Sequence, residues 1–505
     1  MLWFNVLLFL GIGISVCASY KILSISHIST KSHYILSSRL VEEIAKKGHE
    51  VTFITPYPKK TPFKNVKEIG LEGLQDLFPE GSMFAHEGAN PLQKSFFVNQ
   101  MQYRFSEYLL SHEKIQNLMK SQERFDAVIL YYYLNDAMLA LAHHFKAPVI
   151  LFGSMPLYAS ENFLLSFPTQ SAYVPNIVTE HTGHMDFWQR LKNTFYDHAM
   201  ALYYQHFMLP KHAKLVDTYI PGKPDLYKML NNESLALINS HVSTTEPIPH
   251  VPNAIEIGGF HIDEPKPLPK ELKQYLDDSV NGVILFSMGS IVRSAHFPEE
   301  KRKALLGTFS KLKLNVLWKF EENLTGLPPN VKIMKWIPVS DVLAHSNVKV
   351  FITHGGLLST MEGVYHAVPL VGIPVFGDQK MNMALARSYE YAVEVRYTDL
   401  TEETLSRAID QALNNPKYKR NIEKRSKIMR DRTLKPADNA LYWIEYVIRH
   451  QGAPHLRYPG ADLNWFQRNL LDVVGFVLVV TLLPLVAATL VIKRMVKKKN
   501  KSKTE

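Results

Sequence analysis

FITHGGLLSTMEGVYHAVPLVGIPVFGDQ, residues 351–379, is the stretch whose reading decides the fold. Residues 348–353 have the length and apolar character of a buried strand, and they run into a His-Gly-Gly turn. A helix is expected from about Ser359, then a second strand over residues 370–373, then a loop carrying Asp378 and Gln379. Paired glycines between a strand and a helix let backbone approach a ligand with no Cβ in the way. The free N–H groups and positive dipole end of the helix favour an anion there. With His354 at its mouth, the stretch reads as a grip for the diphosphate of a nucleotide.

The same alternation of strand and helix extends outward in both directions. Residues 20–26 (YKILSIS) read as a buried strand, 27–33 as a loop, 35–47 as an amphipathic helix ended by Gly48, and 49–54 (HEVTFI) as the next strand. The pattern returns at 127–130, 138–144, 149–152 and 235–238. Between them, residues 162–218 are aromatic-rich and irregular, with Phe163, Tyr173, Phe187, Trp188, Phe195, Tyr203, Tyr204 and Phe207 placed to line an apolar pocket, touch a bilayer or simply pack. Pro247, Pro249, Pro252, Pro265, Pro267 and Pro269 mark a connector unsuited to a helix or central strand. A second unit then begins with the strand 282–286, the turn Ser287-Met288-Gly289-Ser290, the helix 299–310 and strands at 315–319 and 331–334. The expected fold is α/β, with two doubly wound domains facing across a cleft and ligands at the carboxyl ends of the strands. The divisions are an N-terminal domain over residues 20–246, a connector over 247–280 and a C-terminal domain over 281–450.

The ends of the chain speak to compartment. Residues 6–16 are apolar and precede the small residues Cys17, Ala18 and Ser19, a signal-peptide pattern over residues 1–19. A stem over residues 451–472 leads to an uncharged run, 473–492, of a length to cross a bilayer despite Pro484. A lysine-rich tail, 493–505, follows and would face the cytosol. Lys501 and Lys503 have the spacing of an endoplasmic reticulum retrieval signal, and the sequons at Asn232 and Asn323 would lie on the lumenal side. The net charge of +10 owes much to this tail, which argues against a nucleic-acid partner. Cys17 is the only cysteine, so the processed chain would hold no disulfide, thiol nucleophile or cysteine metal site.

Over residues 351–379 the Thr-His-Gly-Gly turn, Ser359, Glu362, Pro369, Pro374 and the closing Asp378-Gln379 match without a gap the signature of the UDP-glycosyltransferase family of the glucuronosyl and glucosyl type, and the chain resembles that family throughout. The variant at 354–360 looks most like an invertebrate, insect-type member. The resemblance implies the GT-B fold, a UDP-sugar donor serving as co-substrate with no other cofactor, and a small lipophilic acceptor bound by the N-terminal half. It also implies metal-independent inverting transfer of glucose or glucuronate; a homo-oligomer is compatible with it. Trp336 resembles the residue that stacks on uracil. Ser287, Gly289 and Ser290 resemble the turn that meets phosphate and sugar, and His354, Gly355, Gly356 and Ser359 the diphosphate cradle. Glu362 resembles the ribose-binding carboxylate, Asp378 and Gln379 the pair that reads sugar hydroxyls, and His33 the catalytic base. His27, six residues earlier, reads as structural.

Two positions depart from the family. An acidic partner for the histidine is usual where this chain has Tyr131, and Asp136 is the candidate substitute. Val339 stands where glutamine is usual near the uridine. A protein of the same fold that holds UDP-sugar or a lipophile without turnover is therefore the alternative, and a transferase acting on lipids or proteins a third reading.

Overall fold

Short strands apolar on both faces and joined by helices are the pattern of a parallel sheet with helices covering each face. The computed structural model of the chain describes residues 19–77, 89–156, 170–290 and 292–501. Most of the expected leader with Cys17, as well as Phe163 and Lys503, lies outside the described residues.

The first sheet contains β1 (Lys21–Ile25), β2 (Glu50–Thr55), β3 (Val66–Gly70), β4 (Ala127–Tyr131), β5 (Val149–Gly153), β6 (Leu235–Ile238) and β7 (Ala254–Glu256) in the order β3-β2-β1-β4-β5-β6-β7. The second contains β8 (Val283–Ser287), β9 (Asn315–Lys319), β10 (Val331–Met334), β11 (Val348–Thr353), β12 (Leu370–Gly372) and β13 (Ala392–Glu394) in the order β10-β9-β8-β11-β12-β13. Every pairing in both sheets is parallel. Each order reverses once, between β1 and β4 and between β8 and β11. Ligands of doubly wound sheets bind at those reversals, outside the carboxyl ends of the strands.

The second sheet is buried on both faces. One side carries Phe286, Phe309, Trp318 and Phe320, with Trp318 stacked on Phe286 at 5.2 Å and its Nε1 donating to Ser294 Oγ at 3.1 Å. The other carries Leu285, Leu317, Phe351, Met361 and Leu370.

The expected connector, 247–280, is more structured than its prolines suggested. Residues 254–256 form the last strand of the first sheet, an edge position that needs few ladder bonds. The helix Lys270–Asp278 packs Leu272 and Leu276 into the second sheet's core. A larger difference lies at the C-terminal end of the expected second domain. The helix Pro436–Arg449 returns to the first sheet, packing Ala440, Leu441, Ile444 and Val447 with Ile22, Leu40, Ile44 and Leu235. The first domain is thus discontinuous in sequence.

The residues from Arg457 onward form a separate unit. Its long helix, Leu471–Lys501, runs unbroken through Pro484, and Leu471–Lys497 is long and apolar enough to cross a membrane.

Candidate active site

The two reversal points meet in a cleft of about 260 Å³. From the second sheet it is lined by Ser287, Gly289, Ser290, Trp336, His354, Gly356, Ser359, Glu362, Asp378 and Gln379. Ser32 and His33 line the side belonging to the first sheet, with Ser154 and Met155 from the end of β5. Of the expected residues only Gly355 and Asp136 are absent from this lining.

β8 ends at Ser287, whose hydroxyl accepts from Gly289 N at 3.3 Å, and β11 ends at Thr353. The neighbouring His354 ring is wedged between two glycines: a Cβ at Gly289 would stand 2.6 Å from its Cε1, and one at Gly356 only 2.5 Å from its Nε2. Gly289 also has φ +79°, in the left-handed region that costs other residues energy. Gly355 is buried behind the cleft against Met383. Thr353 Oγ1 lies 3.4 Å from His354 Nδ1, which leaves Nε2 as the edge toward the cleft. Burial, and then the nearby Lys319 charge, lower the His354 pKa to about 4, so the ring is neutral.

Lys319, at the carboxyl end of β9, also lines the cleft. Its ammonium donates to Gly289 O at 2.9 Å and to Glu321 Oε1 at 2.7 Å. Lys319 is not among the residues expected from the sequence, although a lysine closing an apolar strand (NVLWK) is itself a signal for a charge at the ligand end of a parallel sheet.

The helix after the glycine turn is Leu357–Tyr365, starting two residues before the expected Ser359. Burial, with Asp341 adding to it, raises the Glu362 carboxyl to about 8. Asp378 closes the expected loop as the residue before the helix Gln379–Ser388, and Gln379 is the first residue of that helix. Burial raises the Asp378 pKa, opposed by hydrogen bonds from Asn382 and the backbone. Asn382 Nδ2 donates to Asp378 Oδ2 at 2.7 Å and to Gly355 O at 3.0 Å, tying this helix to the glycine turn. Gln379 Oε1 accepts from the backbone N–H groups of Val375 and Phe376, at 2.8 and 3.0 Å, so its amide hydrogens remain for a ligand. Trp336 is 60% exposed, an unusual placement for an indole that leaves it open to stacking.

Across the cleft, His33 lies in the first turn of the helix Lys31–Lys46, not in the loop expected before it. Its ring is 5.4 Å from that of Tyr131 and 6.3 Å from that of Tyr133. Nδ1 is buried with no hydrogen-bond partner among the described residues, and burial lowers the pKa to about 4. Asp136 does not take the expected place beside it. Its Oδ1 accepts from Tyr132 Oη at 2.8 Å and its Oδ2 from Tyr204 Oη at 2.6 Å. Both oxygens are used, and the carboxylate is a buried structural tie. His27 is structural too: Asn135 donates to its Nδ1 at 3.3 Å, and its Nε2 faces Gln102 Oε1 at 3.1 Å.

A second chamber of about 430 Å³ adjoins, mostly apolar, with Val98, Ile177, Val178, Met200, Tyr204 and Phe376 in its wall. Tyr133, the ring beside His33, lines it, as do Gly377 and Lys380 on either side of Asp378-Gln379. Val339 lies in the lining of the first cleft, where it presents no polar group.

Comparison with known proteins gives the family and the fold. The chain is 36% identical over 480 residues to UDP-glycosyltransferase UGT5 of Dactylopius coccus, covering 92% of this chain and 90% of that protein. It is 32% identical over 463 residues to human UDP-glucuronosyltransferase 2B10, covering 87% of each. Among solved structures, a UDP-glucosyltransferase from Polygonum tinctorium capable of glucosylating indoxyl superposes with a TM-score of 0.57 at 18% identity, over 86% of this chain and 99% of that one. The calicheamicin glycosyltransferase CalG4 superposes at 0.54 and 16% identity, over 85% and 98%. These likenesses establish the GT-B fold. The family model described as UDP-glucoronosyl and UDP-glucosyl transferase matches residues 20–503, and the chain is therefore a member of that family, a UDP-sugar hexosyltransferase.

Proposed function

We propose that the protein moves glucose or glucuronate from its UDP-sugar to a hydroxyl of a small lipophilic acceptor, with inversion and without a metal ion. The observation that carries this reading is the single cleft that sets His33 of one sheet opposite the Trp336, His354, Glu362 and Asp378-Gln379 set of the other. The uracil stacks on Trp336, the ribose hydroxyls donate to Glu362, and Asp378 and Gln379 hold the sugar hydroxyls. The apolar chamber beside Tyr133 receives the acceptor.

His33 Nε2 takes the acceptor proton as its oxygen attacks the anomeric carbon. The new C–O bond forms as the bond to the β-phosphate oxygen breaks, and UDP leaves with the electron pair. A single displacement of this kind inverts the anomeric centre. Charge growing on the diphosphate meets His354, the start of the helix Leu357–Tyr365 and the Lys319 ammonium. With its pKa held at about 4, His33 is neutral across the physiological range and has a free lone pair for the acceptor proton, as a weaker base than an ordinary imidazole. The proposed setting is the endoplasmic reticulum membrane, with the body lumenal and the tail cytosolic.

One observation favours a second reading, a protein that holds UDP-sugar without turnover: among the described residues His33 Nδ1 has no hydrogen-bond acceptor to orient it. A screen of UDP-sugars against phenols and alcohols, on membranes carrying the chain, separates the two. Transfer to at least one acceptor supports the transferase; UDP binding with no transfer to any supports the holder.

A further inference from the structure

The chamber beside Tyr133 is walled from both domains. Val98, Ile177 and Met200 give the first domain's side its apolar character, while the second domain contributes the chain that leaves the carboxyl end of β13. Glu394 and Arg396 both line the chamber there, and Val395 between them is buried in the second core. That is the alternation of an extended chain, placed at the strand end where parallel sheets meet ligands. β13 stands two strands beyond β11, so this part of the wall lies roughly 10 Å to the side of the glycine turn. Tyr133, whose ring is 6.3 Å from that of His33, marks where the acceptor hydroxyl meets the base.

Five charged side chains stand in the wall: Lys94, Glu180, Lys380, Glu394 and Arg396. Each carboxylate has a cation of its own. Lys380 Nζ lies 3.3 Å from Glu180 Oε1, a pair that spans the two domains. Arg387, outside the chamber, lies 3.2 Å from Glu394 Oε2. Among the described residues Arg396 makes no hydrogen bond and no ion pair, so its charge is left over. Lys94 adds a further cation to the same wall. A guanidinium without a carboxylate of its own, at the side of a mostly apolar space, suits an oxyanion, which it meets with two parallel N–H bonds.

We propose, on the reading of this chamber as the acceptor site, that Arg396 selects acceptors carrying an anionic group remote from the hydroxyl that reacts, a carboxylate or a sulfate. The acceptor is then an amphipathic acid. Its apolar body fills the space between Val98, Ile177, Met200 and Phe376, and its charged end reaches the second domain. The domain that holds the donor thereby shares in choosing the acceptor.

The pair 6-hydroxy-2-naphthoate and its methyl ester separates charge from shape, and lipophilicity alone would favour the ester. The full-length chain in membranes is given each compound with UDP-glucose and with UDP-glucuronate. The acid-to-ester ratio of kcat/KM is read for the wild type, Arg396→Gln and Arg396→Lys. The expected ratio exceeds one in the wild type, falls at least about tenfold in Arg396→Gln through KM, and is largely restored in Arg396→Lys. The Kd values of the same two compounds, read by naphthol fluorescence on the purified full-length chain, should show the same dependence. A wild-type ratio below one overturns the proposal. So does a ratio unchanged in Arg396→Gln, with acid and ester falling together or not at all, and in that case the transferase reading stands. Kd values that favour the acid only when Arg396 is present, with no transfer to either compound, support Arg396 as the selector and overturn the transferase reading instead.

Discussion

Replacing Gly289 by alanine should weaken donor binding through His354 and leave the fold largely intact. The new Cβ would stand 2.6 Å from His354 Cε1, about 1 Å inside an ordinary contact, so the ring must move by roughly that amount. At φ +79° alanine adds a backbone cost of about 1–2 kcal/mol, which lowers the melting temperature by a few degrees in a chain of this size. A ring displaced by that distance loses its bond to the diphosphate, and a hydrogen bond to a charged group is worth about 1.5–3 kcal/mol, or roughly 10–150-fold in UDP affinity. The decisive comparison is a double-mutant cycle read by calorimetric UDP titration. His354→Ala alone should lose a similar amount. Adding Gly289→Ala to it should lose little more, because the Cβ then has no ring to meet. Losses that add in the double mutant would refute the wedge as the reason this turn contains glycine.

Asp136 acts as a tie, not as a partner of His33. Asp136→Ala strands two buried tyrosine hydroxyls, at about 1–3 kcal/mol each, and should lower the melting temperature clearly. Asp136→Asn keeps one acceptor and must reverse the other bond, its Nδ2 donating to a tyrosine oxygen, so it should cost less stability than Asp136→Ala and leave transfer largely intact; a large loss of transfer in Asp136→Asn would reinstate it beside His33. Glu362, with its pKa near 8, is mostly protonated at neutral pH, and hydroxyl donors favour its charged form. UDP binding at pH 7 should therefore release protons, seen as a buffer-dependent binding enthalpy, and Glu362→Gln should abolish the release. His27 and His212 are buried, with pKa values held down to about 3 and about 4 by burial. Below an unfolded value of about 6.5 the unfolded chain binds more protons, so their contribution is full above that pH. It declines toward pH 4 by up to about 1.4 kcal/mol per unit for each histidine. Urea midpoints at pH 7 and pH 5 measure it, and an unchanged midpoint contradicts it.

The donor half of the site was legible because its determinants are local. A strand, two glycines and a helix start specify a backbone shape within a few residues, and the parallel order carries Ser287 and Thr353 to adjacent strand ends. The helices at Lys31 and Leu357 start four and two residues before the expected positions, since neither has a side-chain cap to announce it. Long-range choices were not legible. Asp136 is claimed by Tyr204, 68 residues away, and nothing near it in sequence says so. The helix Pro436–Arg449 is amphipathic wherever it docks, and only the assembled core reveals that it closes the first sheet. The aromatic run after residue 162 was visible as composition; that Phe187, Trp188 and Phe195 face out while Tyr204 faces in depends on long-range bonds such as those of Asn176 with Asn193 and Asp197.

The most direct test of the central claim is single-turnover transfer by His33→Ala in membranes, with UDP affinity measured on the same preparation. Loss of a general base should slow transfer by on the order of 10²–10⁴-fold while the UDP Kd stays at the wild-type value. Transfer at the wild-type rate in His33→Ala would contradict the assignment of His33 as the group that takes the acceptor's proton.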